Sequence, residues 1–174
     1  MSTIYIRDRK EVLEIHVEDV KKYHGSLALM AVGVGFRALQ AGFRELFGDD
    51  IPERKDISIV SGHAGPGFRD VFEFVTRAVT RGAYQVDVHY PVSQFDPHRP
   101  QSYAFVISTA DGKAVEVSLR DGFLPQVFYD LLKKGRENTL TEQEHEQLDQ
   151  LKLDLFERAM QLPQDELLAV KRIA

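Results

Sequence analysis

The stretch that most constrains this chain runs from Leu27 to Phe47. Residues Leu27-Ala28-Leu29-Met30-Ala31-Val32-Gly33-Val34-Gly35-Phe36 are apolar without a break, and Leu39, Phe43 and Phe47 then keep helical spacing while Arg37 opens a charged outer side. That spacing predicts a helix. A helix apolar all round has to be enclosed by the rest of its domain. Gly33 and Gly35 each lower helix propensity by about 1 kcal/mol relative to Ala, which points to another backbone passing close to them. Val17–His24 is expected as one or two helical turns that deliver His24 to the mouth of this helix, with Ser26 as its N-cap. The buried half of the helix, with a histidine at its entrance, is the expected centre of the fold and of any site.

The remaining segments alternate in type. Ile4 and Ile6 suit a short strand or an extended arm, and Asp56–Val60 a short strand. A glycine-rich loop, Ser61-Gly62-His63-Ala64-Gly65-Pro66-Gly67, leads into a helix with Phe68, Val71, Phe72, Val75, Ala78 and Val79 on one face, ended by Arg81-Gly82. Tyr84, Val86, Val88 and Tyr90 alternate with polar residues, the period of a half-buried strand. After a proline-bounded loop over 91–101, Tyr103–Ser108 and Ala114–Leu119 are expected to pair across Asp111-Gly112, a strong hairpin signal. Leu124–Lys134 is expected to be helical, with Pro125 in its first turn. Thr141 and Glu144 form a capping box that opens a long helix through about Met160, and Pro163 starts a last short helix. The expectation is an α+β fold with a helix–strand–helix–three-strand core, its mixed sheet packed by helices. It forms a single domain over residues 1–174, with the core over about 17–120 and a helical tail over about 122–174.

The formal net charge of −5 and scattered Lys and Arg give no support for nucleic-acid binding. Absence of cysteine excludes disulfides, thiolate metal sites and cysteine nucleophiles. The first residues lack the apolar core of a signal peptide, and the run 27–36 is about half a membrane span. A cytoplasmic protein with no membrane partner is expected.

Chemistry concentrates at the ends of elements. In the loop 61–67, backbone amides between a strand and a helix N-terminus favour a carboxylate or phosphate, held around Ala64 to Phe68 with Arg69 or Arg99 as helpers. The competing reading is a tight turn with glycines at positive φ. The loop is neither a P-loop nor a G-x-G-x-x-G turn. Among the six histidines, His24 and His63 rank first by position. His89 follows, on the polar side of a strand, and then His98, able to close over a pocket with Arg99. His16 and His145 are expected to be solvated. No histidine pair has the i, i+4 spacing of a helical zinc site, so a metal site would have to assemble over long range. No carboxylate pair sits in an apolar stretch, and no nucleophile-elbow motif accompanies Ser26 or Ser61.

His24-Gly25-Ser26-Leu27-Ala28, followed by an Ala/Gly-rich helix with Gly35-Phe36-Arg37-Ala38, resembles the opening of the FmdE-like domains of formylmethanofuran dehydrogenase. The family pattern there is His-Gly-His-Leu-Cys-Pro-Gly, then Leu-Gly-x-Arg-Ala. Leu162-Pro163-Gln164-Asp165-Glu166-Leu167-Leu168-Ala169-Val170 is similar to the family's Pro-x-x-Glu-Leu-Phe-x-Val close, and the resemblance spans roughly residues 17–173. Ser26 stands where the family has its second His, and Ala28 where it has Cys. Gly62, His63 and Ala64 stand where acidic and cysteine residues follow the first strand, and the cysteine-rich zinc ribbon of some members has no counterpart.

The resemblance implies a metal-associated domain linked to molybdenum- or tungsten-dependent formylmethanofuran chemistry, here as a divergent cysteine-free member. His24 and His63 are the expected metal ligands, with zinc or another divalent transition metal between them. Ser26, Gly65, Gly67, His89, His98 and Arg99 are the expected ligand-binding residues, for a small-molecule or pterin-type ligand. A homodimer is expected, with the apolar seam of the 142–160 helix as its surface. Two other readings stand beside this one. One is a metal-free anion- or cofactor-binding module built on the loop 61–67. The other is a zinc-dependent hydrolase.

Overall fold

The computed structural model describes residues 3–89 and 95–174. The chain opens with an antiparallel hairpin, β1 (Thr3–Asp8) and β2 (Glu11–His16), whose Ile4, Ile6 and Ile15 face inward. Helix α1 (Val17–His24) follows directly, its first turn closed by the His16 amide donating to Asp19 at 2.9 Å. Gly25 ends it at φ 92°, a conformation a side chain would resist.

Helix α2 (Leu29–Phe47) is the spine of the molecule, and Met30 through Leu39 are buried without interruption. A Cβ on Gly33 would lie 3.0 Å from the Phe156 ring, and one on Gly35 would lie 3.3 Å from Phe68. The Cβ on Gly33 would also lie 3.4 Å from the Phe156 carbonyl oxygen, the backbone approach expected; the nearest neighbours of Gly35 are the side chains of Phe68 and Val71, so there the close approach is by side chains. Two expectations at this helix are corrected. Its N-cap is Ala28, in the left-handed region at φ 54°, with no side-chain cap. Ser26 lies exposed outside the helix, two residues before Ala28, whose carbonyl oxygen would lie 3.1 Å from a Cβ on Gly67. Arg37 does not open an outer side either; it is only 3% exposed and donates from Nη1 to the Ala159 carbonyl at 2.7 Å.

A mixed five-stranded sheet lies beside α2 in the order β4-β3-β7-β8-β9. Strand β3 (Ile57–Ser61), helix α3 (Pro66–Thr76) and strand β4 (Tyr84–Val86) form a unit in which β3 and β4 run parallel. Strands β5 (Phe95–Asp96) and β6 (Arg99–Ser102) make a small separate hairpin. Strands β7 (Ala104–Thr109) and β8 (Ala114–Leu119) pair around Asp111-Gly112 as expected, with Ser108 opposite Ala114. Inward residues alternate along these strands, Ile57, Ile59, Phe105, Ile107, Val115 and Val117 all being buried under the helices. The fold is α+β.

Three further boundaries differ from expectation. Helix α3 stops at Thr76, whose hydroxyl bonds back to the Phe72 carbonyl at 2.6 Å and accepts the Ala78 amide at 3.1 Å. That local bonding ends the helix before Arg81-Gly82. Strand β4 ends at Val86, and Val88 and His89 form a turn; Tyr90 lies outside the described residues. The C-terminal part, expected as a helical tail, ends in a strand. Helices α4 (Gln126–Arg136), α5 (Glu142–Gln161) and the short α6 (Gln164–Leu167) return the chain to β9 (Leu168–Arg172), which joins the main sheet beside β8. The α5 seam, Leu148, Leu155 and Phe156, is buried within the chain, with Phe156 on Gly33 of α2.

Candidate functional site

A pocket of about 230 Å³ opens where α2 and α3 begin. Ala28, Met30 and Ala31 form one wall, and Pro66, Gly67 and Phe68 the next. The two helix starts touch: a Cβ on Gly67 would lie 2.6 Å from the Ala31 Cβ and 3.1 Å from the Ala28 carbonyl oxygen. Only glycine fits there, and its role is this close approach. Both helices thereby aim their N-terminal ends at one cavity, and the partial positive charge of each favours an anion.

His63 lies under the pocket, packed on the rings of Phe68 and Tyr103 at centroid distances of 4.9 and 4.8 Å. Its Nδ1 accepts the Gly65 amide at 2.8 Å, so in the neutral ring Nε2 carries the proton. Burial, aided by the positive charge of Arg99, pushes its pKa down to about 3. The ring is neutral across the physiological range. The loop provides fewer amides than the sequence promised. Gly62 donates to the Ala104 carbonyl, His63 to the Ser61 hydroxyl and Gly65 to His63, while Pro66 has no N–H. Gly67 and Phe68 are left as the first amides of α3 without a partner inside the helix.

Charge comes from elsewhere in the chain. Arg99 of β6, Arg136 of α4 and Lys152 of α5 all line the pocket, and among the described residues no carboxylate does. Asp96 stands behind two of them, with a fully buried side chain, 3.8 Å from Arg99 and 3.8 Å from Arg136. It also accepts the His98 amide at 2.8 Å and Gln101 Nε2 at 3.2 Å. Lys152 has no hydrogen-bond or ion-pair partner among the described residues. The remaining lining is apolar, including Phe128 and Leu132. Tyr103 is fully buried and its hydroxyl lacks a partner among the described residues, as do the hydroxyls of Tyr129 and Ser102. Burial raises the Tyr103 pKa far above its ordinary value and pushes that of Tyr129 up to about 12. Both are neutral donors.

Of the residues singled out in the sequence, His63, Gly65, Gly67 and Arg99 meet in this pocket. His24, Ser26, His89 and His98 are not in its lining. His24 donates from Nδ1 to Asp70 at 2.7 Å, its side chain 5% exposed, and its Nε2 is buried without a partner among the described residues. His98 bonds Asp130 through Nε2 at 2.8 Å. His89 is exposed in a turn, not on the polar side of a strand, and Ser26 is exposed. Arg69 pairs with Asp70 at 3.3 Å and is outside the pocket. Among the described residues no group of three or more His, Cys, Asp or Glu is placed to hold a metal ion.

Sequence reasoning missed Arg136, Lys152, Tyr103 and Asp96. A signal existed for the first two. Arg136 continues the Phe128–Leu132 face of α4 at i, i+4 spacing, and Lys152 falls within the apolar seam of α5 four residues after Leu148. A cation on an apolar helical face is a departure that a ligand can explain. No family model and no curated protein matches this sequence.

Proposed function

We propose that this chain is a binding protein for a small amphipathic anion, a carboxylate or phosphate carrying an apolar body, and that the site works without a metal. One observation carries the reading: three cations, with no carboxylate among the described lining residues, line a pocket that is otherwise mostly apolar and is walled by the starts of two helices. The acidic group sits against Arg99, Arg136 and Lys152, and the body against Met30, Phe68, Phe128 and Leu132. The Nε2–H of His63 and the unpartnered Tyr103 hydroxyl are neutral hydrogen-bonding groups that orient the ligand without adding charge. At about 230 Å³ the cavity falls below the roughly 300–1,000 Å³ of drug-sized sites, which favours a small metabolite over a dinucleotide.

Calorimetric titration with a panel of aromatic and branched aliphatic carboxylates and phosphates tests this. Binding should weaken about tenfold or more in Lys152→Met and in Arg99→Met, as expected for a lost charge-assisted hydrogen bond. An unchanged affinity in the double variant, or no binding across the panel, would overturn it.

A zinc reading has one supporting feature. Asp70 orients His24 through Nδ1 and leaves a buried Nε2 lone pair, the arrangement of many metal-bound histidines. His63 fits less well, because metal ligation through Nε2 would move its proton onto Nδ1 against the Gly65 amide. Elemental analysis of untagged protein and of His24→Ala decides it: stoichiometric zinc lost in the variant supports a metal, and none in either removes it.

A further inference from the structure

A second pocket, of about 370 Å³, lies at the opposite end of α3, between the β1–β2 turn and the segment after the helix. Five cations line it, Arg9, Arg54, Lys55, Arg77 and Arg81, against the carboxylates of Asp8 and Glu53. In a chain of net charge −5 this is a local reversal of sign.

Capping of α3 accounts for two of the five. Arg54 donates to the Val75 and Phe74 carbonyls at 2.9 and 3.2 Å, and Arg81 to the Thr76 and Ile57 carbonyls at 3.1 and 2.6 Å. The bonds to Phe74, Val75 and Thr76 satisfy the carbonyl end of the helix and offset its negative dipole, and the one to Ile57 ties Arg81 to the start of β3. Both acids are engaged as well, Asp8 with Arg54 at 3.3 Å and Glu53 with Arg7 at 3.6 Å. That leaves Arg9, Lys55 and Arg77, whose side chains make no hydrogen bond or ion pair with any described residue. Arg9 and Arg77 also hold left-handed backbone, at φ 60° and φ 56°, where Gly or Asn would be less strained. Neither the turn nor the helix end requires arginine there; Glu73 and Asp56, just outside the lining, act on Arg54 and Arg81, while Arg9, Lys55 and Arg77 make no ion pair with any described residue.

We propose that this pocket is a second anion site, for a compact phosphorylated ligand carrying at least two negative charges, such as the pyrophosphate group of a nucleotide. Guanidinium forks match phosphate oxygens in pairs, and three unmatched cations match two or three charges. The cations converge on a concavity instead of forming a stripe, and the rest of the surface is net negative, which opposes a long nucleic-acid backbone.

Titration with pyrophosphate at low salt, on the full chain, tests the site. Arg9→Gly and Arg77→Gly remove charge while relieving the left-handed backbone, so both variants should melt no lower than the wild type. Each should weaken pyrophosphate binding about tenfold, as should Lys55→Gln, while Lys152→Met in the first pocket should not. Unchanged affinity in the Arg9→Gly/Arg77→Gly double variant would overturn the proposal, and so would absence of binding at millimolar pyrophosphate. Binding lost in Lys152→Met but kept in the arginine variants would assign the anion to the first pocket and equally overturn it.

Discussion

His63 accepts the Gly65 amide through Nδ1 at 2.8 Å, and this one bond ties the protonation of a buried ring to the shape of the loop that starts α3. With its pKa pushed down to about 3 from 6.5, chiefly by burial, the folded ring refuses a proton that the unfolded chain takes up in that window. Stability from this group is fully present above about pH 6.5 and falls as the pH drops toward 3, by up to about 1.4 kcal/mol per pH unit. Urea denaturation at a series of pH values should show that slope. His63→Gln, which keeps an acceptor for the Gly65 amide without titrating, should lose the part of the slope that this ring contributes.

Gly67 and Gly42 make opposite predictions from similar distances. A Cβ on Gly67 meets the Ala31 Cβ at 2.6 Å and the Ala28 carbonyl at 3.1 Å, neither of which can move without shifting α2. Gly67→Ala should cost about 1–3 kcal/mol and weaken ligand binding in the first pocket. A Cβ on Gly42 meets the terminal Cδ1 of Ile107 at 2.5 Å, an atom that a rotamer change removes. There the gain of about 1 kcal/mol in helix propensity offsets the crowding, and thermal unfolding should place Gly42→Ala within about 1 kcal/mol of the wild type.

Arg37 joins the spine helix to the C-terminal half through the Ala159 carbonyl at 2.7 Å. Arg37→Met keeps most of the buried volume but strands that carbonyl, and should lower stability by about 1–3 kcal/mol. Denaturant unfolding measures it directly. Anion binding should be unaffected, since Arg37 is not in either pocket.

Asp96 is a buried carboxylate behind the first pocket, shared by Arg99 and Arg136. Asp96→Asn should melt earlier, because two cations lose a counter-charge. It should also bind anionic ligands more tightly, because the pocket becomes more positive. A variant that melts earlier but binds more weakly would mean that Asp96 acts by positioning the two arginines.

Much of the fold was legible because it rests on local rules. The helical spacing through Phe47, the Asp111-Gly112 hairpin and the capping box at Thr141 each depend on residues within a few positions of one another. The glycines of α2 even announced close neighbours, though not that these would be Phe156 and Phe68. Arg37 misleads for a related reason. Its spacing marks an outer side, but the acceptor that lets it be buried is 122 residues away.

By itself the sequence determined the main helices, the strands β3, β7 and β8, and the α+β class; β2, the β5–β6 hairpin and β9 were not legible in it. It pointed to the mouth of α2 and the loop 61–67 as the place to look for a site. The tertiary structure alone decided which side chains meet there. It separated His24, paired with Asp70, from the lining that holds His63, and it brought in Arg136 and Lys152 from helices far along the chain. It turned the α5 seam inward and placed β9 in the sheet. The physical reason is range: backbone propensity, capping and periodicity act within a turn or two of helix, whereas burial and charge pairing depend on whatever the fold brings across space.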